Sequence, residues 1–132
     1  TREAESLIPV DQRPDGIYFR PKVVYNRRTN RYVLWYNFIK NESPVGGRSS
    51  VEAVAVADAP TGPFRIVNGN VSLLEPRAGD FDVFVDDDAA ATAYLIYTAY
   101  SCSAGAHGDN CRTQLIQVLS EDYLRPLATS AA

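Results

Sequence analysis

Short apolar runs separated by polar or Pro/Gly-containing stretches make up most of the chain. No segment sustains the 3.6-residue period of an amphipathic helix. Val23-Val24-Tyr25-Asn26 predicts a short strand, and Arg27-Arg28-Thr29-Asn30 the turn after it, with Asn30 suited to a positive φ. Arg31 to Phe38 predicts a second strand, bounded by polar residues. Residues 40–50 carry Pro44, Gly46 and Gly47 and predict a loop. Val51 to Asp58 predicts a third strand whose small side chains permit close sheet packing. Ala59-Pro60-Thr61-Gly62-Pro63 turns the chain, and Phe64 to Val67 predicts an outer strand.

The pattern then restarts. Val83-Phe84-Val85 opens it, Asp86 to Thr92 is the turn, Tyr94 to Ala99 and Gln114 to Ser120 follow as strands, and Glu121-Asp122-Tyr123-Leu124 starts a fourth. Tyr32-Val33-Leu34-Trp35-Tyr36 returns as Tyr94-Leu95-Ile96-Tyr97-Thr98 after 62 residues, and Asp58 and Ser120 share the same separation. A repeat of strand, tight turn, strand, loop, strand is the unit of a β-propeller blade. The expected fold class is all-β, with about two blades of four antiparallel strands from an incomplete propeller. The first blade spans 19–70 and the second 71–127, between an irregular lead-in at 1–18 and a frayed tail at 128–132. Blades bury their faces against neighbours. The remaining blades are therefore expected from another chain or from a homo-oligomer.

Composition narrows the choice of partner. The apolar share of 45% is sufficient for a core, and Tyr and Val enrichment suits sheet. A net charge of −3 and a pI near 5.1 argue against nucleic acid. No apolar run of about 18 residues predicts a membrane span. Thr1-Arg2-Glu3-Ala4-Glu5 is polar and reads as a processed or trimmed N-terminus. Cys102 and Cys111 flank a loop rich in Gly, Ala and Ser. A disulfide between them is expected, closing about ten residues and contributing roughly 2–3 kcal/mol; two free thiols are the alternative. The disulfide implies an oxidising compartment, and with it a secreted or extracellular location. Asn70-Val71-Ser72 is an N-glycan acceptor pattern; Asn41-Glu42-Ser43 also matches, weakened by Pro44.

Three stretches together resemble the family 43 glycoside hydrolases, five-bladed propellers, and most closely the group that trims β-1,3-galactan. The first is Arg20-Pro21-Lys22-Val23-Val24-Tyr25-Asn26 followed by Thr29-Asn30-Arg31-Tyr32-Val33-Leu34-Trp35. The second is Val54-Ala55-Val56-Ala57-Asp58-Ala59-Pro60-Thr61-Gly62-Pro63-Phe64. The third is Asp80-Phe81-Asp82-Val83-Phe84-Val85-Asp86-Asp87-Asp88, then Ala93-Tyr94-Leu95-Ile96-Tyr97, closing with Leu119-Ser120-Glu121-Asp122-Tyr123-Leu124. Their order and spacing over residues 19–124 carry the resemblance.

The resemblance implies carboxylate chemistry: one acid protonates the leaving oxygen and a group opposite activates water. A further carboxylate orients the acid and raises its pKa by like-charge repulsion. Asp80 matches that orienting position. The acidic residue that usually precedes Arg-Pro-Lys is replaced by Phe19, and the arginine that usually precedes the matched aspartate by Gly79. The expected proton-donating glutamic acid falls beyond Ala132.

Each candidate has a plain structural reading beside its functional one. Asp80 is either the pocket carboxylate or a solvated residue after Gly79. Asp82 alternates with Phe81 and Val83, so it either reaches the pocket or faces the opposite side of its strand. Arg20 and Lys22 either grip sugar hydroxyls or an acidic substituent, or pair with carboxylates across blades. Trp35 either stacks on a sugar or packs between blades. Asp86-Asp87-Asp88 is expected to be a hairpin turn and not a cation site, because the repeat places it there. His107 has no second His, so no metal site is expected. No cofactor is implied, and no Ser-His-Asp set, Walker loop or dinucleotide fingerprint is present. The functional expectation is a glycan-associated propeller segment, on galactan or arabinan, that is non-catalytic alone because its general acid is absent. The alternatives are part of an active exo-β-1,3-galactanase or arabinan/galactan hydrolase completed by further blades, and a structural or assembly module.

Overall fold

The computed structural model describes residues 7–40, 50–75, 78–100 and 112–128. After a short 3-10 turn at Val10–Gln12, the strands are β1 (Gly16–Asn26), β2 (Arg31–Lys40), β3 (Val51–Ala57), β4 (Arg65–Asn68), β5 (Ala78–Val85), β6 (Ala93–Tyr100) and β7 (Arg112–Val118). They form two antiparallel meanders, one ordered β1-β2-β3-β4 and the other β5-β6-β7. The fold is all-β, two blade-like sheets of a partial propeller. Among the described residues no helix is long and apolar enough to cross a membrane.

The side-chain alternation of strands decides how the sheets pack. β2 is buried on both faces. Its Val33 and Trp35 join Val54 on one face, against Phe81, Val83, Leu95, Tyr97 and Ala99 of the second sheet. Its Leu34 and Tyr36 face the other way, into a cluster with Ile8, Tyr18, Ala53, Ala55, Ala57 and Phe64. Trp35 and Tyr97 occupy the same place in their repeats, and both meet in the shared core. Each large apolar side chain buried there contributes about 1.5–3 kcal/mol. Polar bonds add register between the sheets. The Trp35 indole N–H donates to the Tyr123 carbonyl at 2.9 Å, and Asn26 Nδ2 to the Glu121 carbonyl at 2.8 Å.

β6 alternates strictly, with one face buried and the other half-exposed. The second sheet is therefore covered on one side only. Phe84, Ile116 and Val118 stand on its open face with exposures of 53%, 63% and 40%.

Three elements depart from the sequence reading. β1 begins at Gly16, inside the stretch expected to be irregular, because a bulge between Phe19 and Lys22 lets the strand continue through Pro21. The lead-in is also not idle: Ile8 is buried, and the Leu7 carbonyl accepts the Phe64 N–H at 2.8 Å. That bond draws Phe64 into the core and moves the start of β4 to Arg65. Finally, residues 121–124 turn instead of forming a fourth strand. Tyr123 sits at φ 64 and is bonded back to Ser120, so only a single bridge, Leu119 to Pro126, extends the second sheet.

Candidate functional site

β1 and β5 are the first strands of the two sheets and lie beside each other. Each carries a bulge at the equivalent place. In β1 it falls between Phe19 and Lys22, opposite Asn37 and Trp35; in β5 it falls between Ala78 and Phe81, opposite Ala99 and Tyr97. Bulges re-aim side chains, and these two aim Arg20 and Asp80 at each other. Arg20 Nη2 lies 2.8 Å from Asp80 Oδ1, and one step along the strands Lys22 Nζ lies 3.2 Å from Asp82 Oδ1. The Arg20 guanidinium also lies 5.8 Å from the centre of the Phe19 ring.

The ion pairs add little net stability to this edge. All four charged side chains are 40% exposed or more, and exposed pairs contribute about 0–1 kcal/mol. Arg20 holds φ 55, a left-handed conformation. For a non-glycine residue such a conformation costs on the order of 1–3 kcal/mol. The strain thus matches or exceeds what the pair returns.

Behind the edge lies a polar layer. Asn37 and Glu52 are directly opposite across β2 and β3, and both are buried. Asn37 Nδ2 donates to Glu52 Oε1 at 3.0 Å and to the Gly79 carbonyl at 3.4 Å, while Asn37 Oδ1 has no partner. Ser50 Oγ donates to the neighbouring Ala78 carbonyl at 3.3 Å. Burial pushes the Glu52 carboxyl up from its ordinary 4.5 to about 7, against the opposing pull of hydrogen bonds from its own backbone and from Asn37. Beside them, the Tyr97 hydroxyl donates to Gln117 and accepts from the Glu75 N–H. Gly79 leaves room for Tyr100: a Cβ there would come within 3.0 Å of that ring.

The structure therefore brings Arg20, Lys22, Asp80 and Asp82 together on one edge, with both cations paired across the sheets, which is the plain structural alternative for Arg20 and Lys22. Trp35 is a correction. Its ring has no exposed surface and its N–H is taken by Tyr123, so it presents no face to a sugar. Asp86-Asp87-Asp88 forms the expected hairpin turn, where the Asp88 carboxylate accepts the Thr92 N–H and hydroxyl. Those two bonds, the Thr92 backbone first, lower its pKa. Among the described residues no group of His, Cys, Asp and Glu is arranged to hold a metal ion. Asn70 and Ser72 are exposed on the connection from β4 to β5. Cys102, Cys111, His107 and the Asn41 triplet lie outside the described residues. The sequence reading missed Asn37 and Glu52. Their signal was a polar residue inside each of two otherwise apolar strands.

No family model and no curated protein matches the chain. Solved structures do. An exo-β-1,3-galactanase from Phanerochaete chrysosporium, determined with β-1,3-galactotriose, is 30% identical with a TM-score of 0.63, over 86% of this chain and 23% of that one. A Bifidobacterium bifidum protein assigned as an exo-β-1,3-galactanase is 28% identical with a TM-score of 0.63, over 86% of this chain and 32% of its own. A family 43 β-1,3-galactosidase is 25% identical with a TM-score of 0.62, over 86% of this chain and 21% of its own. The chain thus spans about a quarter of the length of the first of these, and its fold is that of a partial family 43-like propeller.

Proposed function

We propose that this family 43-like propeller segment presents a glycan-binding edge for a galactan-type chain, centred on Asp80 and flanked by Arg20, Lys22 and Asp82. The observation that carries this reading is the Arg20–Asp80 pair, held at 2.8 Å between two bulges at equivalent places on adjacent first strands. Asp80 is the residue that matches the orienting carboxylate of the resembled family, and the structural neighbours include a galactanase determined with β-1,3-galactotriose. In this reading Asp80 and Asp82 accept from sugar hydroxyls, and Arg20 and Lys22 donate to them. In this reading the segment does not cleave by itself: general acid catalysis typically contributes about 10²–10⁴-fold, and Glu52, the described carboxyl whose pKa is raised, is only 2% exposed and buried behind the edge. In this reading the location is extracellular, which rests on the disulfide that the sequence leads one to expect between Cys102 and Cys111 and on the exposure of Asn70 as a glycan acceptor. Two assays test this together: binding of β-1,3-galactan oligosaccharides, and reducing-sugar release from β-1,3-galactan and arabinan, each with Asp80→Asn beside the unaltered chain.

A second reading has its own observation. The open face of the second sheet, with Phe84, Ile116 and Val118 uncovered, suits further blades that would complete an active exo-β-1,3-galactanase or arabinan/galactan hydrolase. Clear turnover by the chain in complex with such blades, absent from the chain alone, supports this reading over the first.

A further inference from the structure

We propose that Glu52 and Asn37 form a positioning pair for Asp80, in which a proton on Glu52 locks the Asn37 amide and the amide in turn pins the Gly79 carbonyl in the bulge. This deepens the glycan-edge reading, and only its consequence for sugar binding rests on that reading.

Asn37 is fully buried between the sheets, yet its Oδ1 accepts nothing. A buried acceptor without a donor is costly, and native structures rarely leave one. The residue facing it across the strands is Glu52, whose Oε1 already accepts from Asn37 Nδ2. An ionised carboxylate is acceptor-only and can offer Oδ1 nothing; a protonated carboxylic acid has one O–H donor. A neutral acid and a primary amide are complementary, with N–H to C=O on one side and O–H to C=O on the other. Protonation of Glu52 therefore supplies the missing donor and fixes the amide plane. The second Nδ2 hydrogen is then held on the Gly79 carbonyl, immediately before Asp80 in the bulge.

The surroundings favour that proton near neutrality. Glu52 is 2% exposed, and burial disfavours its charge. The titratable groups around it among the described residues are Tyr97 on β6, which senses its charge, and Glu75, whose N–H meets the Tyr97 hydroxyl. Asn37 on β2 and Ser50 carry no titratable group, and the Arg20–Asp80 pair, which joins β1 to β5, lies next to Gly79 in the bulge. Burial raises the Tyr97 pKa, so Tyr97 stays neutral over this range. Below the Glu52 pKa the latch is closed and Asp80 is held toward Arg20. Above it two acceptors face each other, the amide turns away, and the 3.4 Å bond to Gly79 is the first to be lost.

The test is a pH titration of the isotopically labelled chain by NMR, from about pH 5 to about pH 9, following the Glu52 side-chain carboxyl carbon, the Asn37 side-chain amide, and the backbone amides of Gly79 and Asp80. The expected result is one shared midpoint near 7. In Glu52→Gln, whose amide mimics the protonated acid, the Asn37 and Gly79 signals should stay at their low-pH positions throughout. A Glu52 midpoint near its ordinary 4.5, or Gly79 and Asp80 amides that ignore the Glu52 titration, would overturn the proposal. If Glu52→Gln does not fold, the titration of the unaltered chain decides alone. Binding of β-1,3-galactan oligosaccharides at both ends of the range separates the two ideas. A shared midpoint without binding at either pH supports the latch and counts against the glycan reading.

Discussion

The buried carboxyl of Glu52 sets the pH response of the folded chain. Its pKa is raised from 4.5 to about 7 on folding, so the native state holds the proton more tightly than the unfolded one. The contribution of Glu52 to stability is then full below about pH 4.5 and declines as pH rises toward 7. The whole effect is on the order of 3 kcal/mol, at 1.36 kcal/mol per pKa unit. Urea melts across this window should show the decline, and Glu52→Gln should flatten it. Trp35 gives a second residue-scale prediction. Trp35→Phe keeps most of the apolar area but strands the Tyr123 carbonyl, and should cost about 1–3 kcal/mol by denaturant midpoint. At this scale the sequence was partly legible. Arg20, Lys22, Asp80 and Asp82 stood out by motif and by alternation. Asn37 and Glu52 did not, because a polar residue in an apolar strand becomes meaningful only when its cross-strand partner is known. Trp35 could be read as a sugar platform only while its burial was unknown.

Among the elements, the paired bulges on β1 and β5 are what turn two ordinary hairpins into a shared edge. Arg20 occupies φ 55, which glycine adopts without steric cost. Arg20→Gly should therefore leave thermal stability unchanged or raise it by up to about 1 kcal/mol, since relieved strain offsets the lost exposed ion pair. The same variant should lose most of its affinity for galactan. A clear loss of stability instead would mean that the ion pair is structural. The central strands β2, β3 and β6 were legible because each is a bounded apolar run, and the 62-residue repeat aligned them. The start of β1 was not, because residues 1–18 show no sustained period and the bulge that accommodates Pro21 leaves no one-dimensional trace. The missing fourth strand has a similar cause. Tyr123 at φ 64 and the Ser120 Oγ bond to Asp122 favour a turn over the extended run that the repeat suggested.

For the whole molecule, coverage is unequal on the two outer faces. The first sheet is closed by Ile8, Tyr18 and Phe64 around Tyr36, where burial and the neighbouring Tyr18 raise the Tyr36 pKa well above the ordinary tyrosine range. The second sheet leaves Phe84, Ile116 and Val118 exposed. Such a face favours association. Sedimentation at micromolar concentration should show oligomers or capture of a further sheet, and Phe84→Lys with Ile116→Lys should abolish both without unfolding the chain. A stable monomer whose sedimentation the two substitutions leave unchanged would argue against an interface there.

In the proposed function the Arg20–Asp80 edge binds galactan and does not cleave it. The most direct measurement is an NMR titration of the chain with β-1,3-galactan oligosaccharides, followed by product analysis of the same sample. The expected result is amide shifts concentrated at Arg20, Lys22, Asp80 and Asp82, their loss in Asp80→Asn with the fold intact, and oligosaccharide recovered unchanged. Shifts scattered away from this edge, or released sugar that disappears in Asp80→Asn, would contradict it.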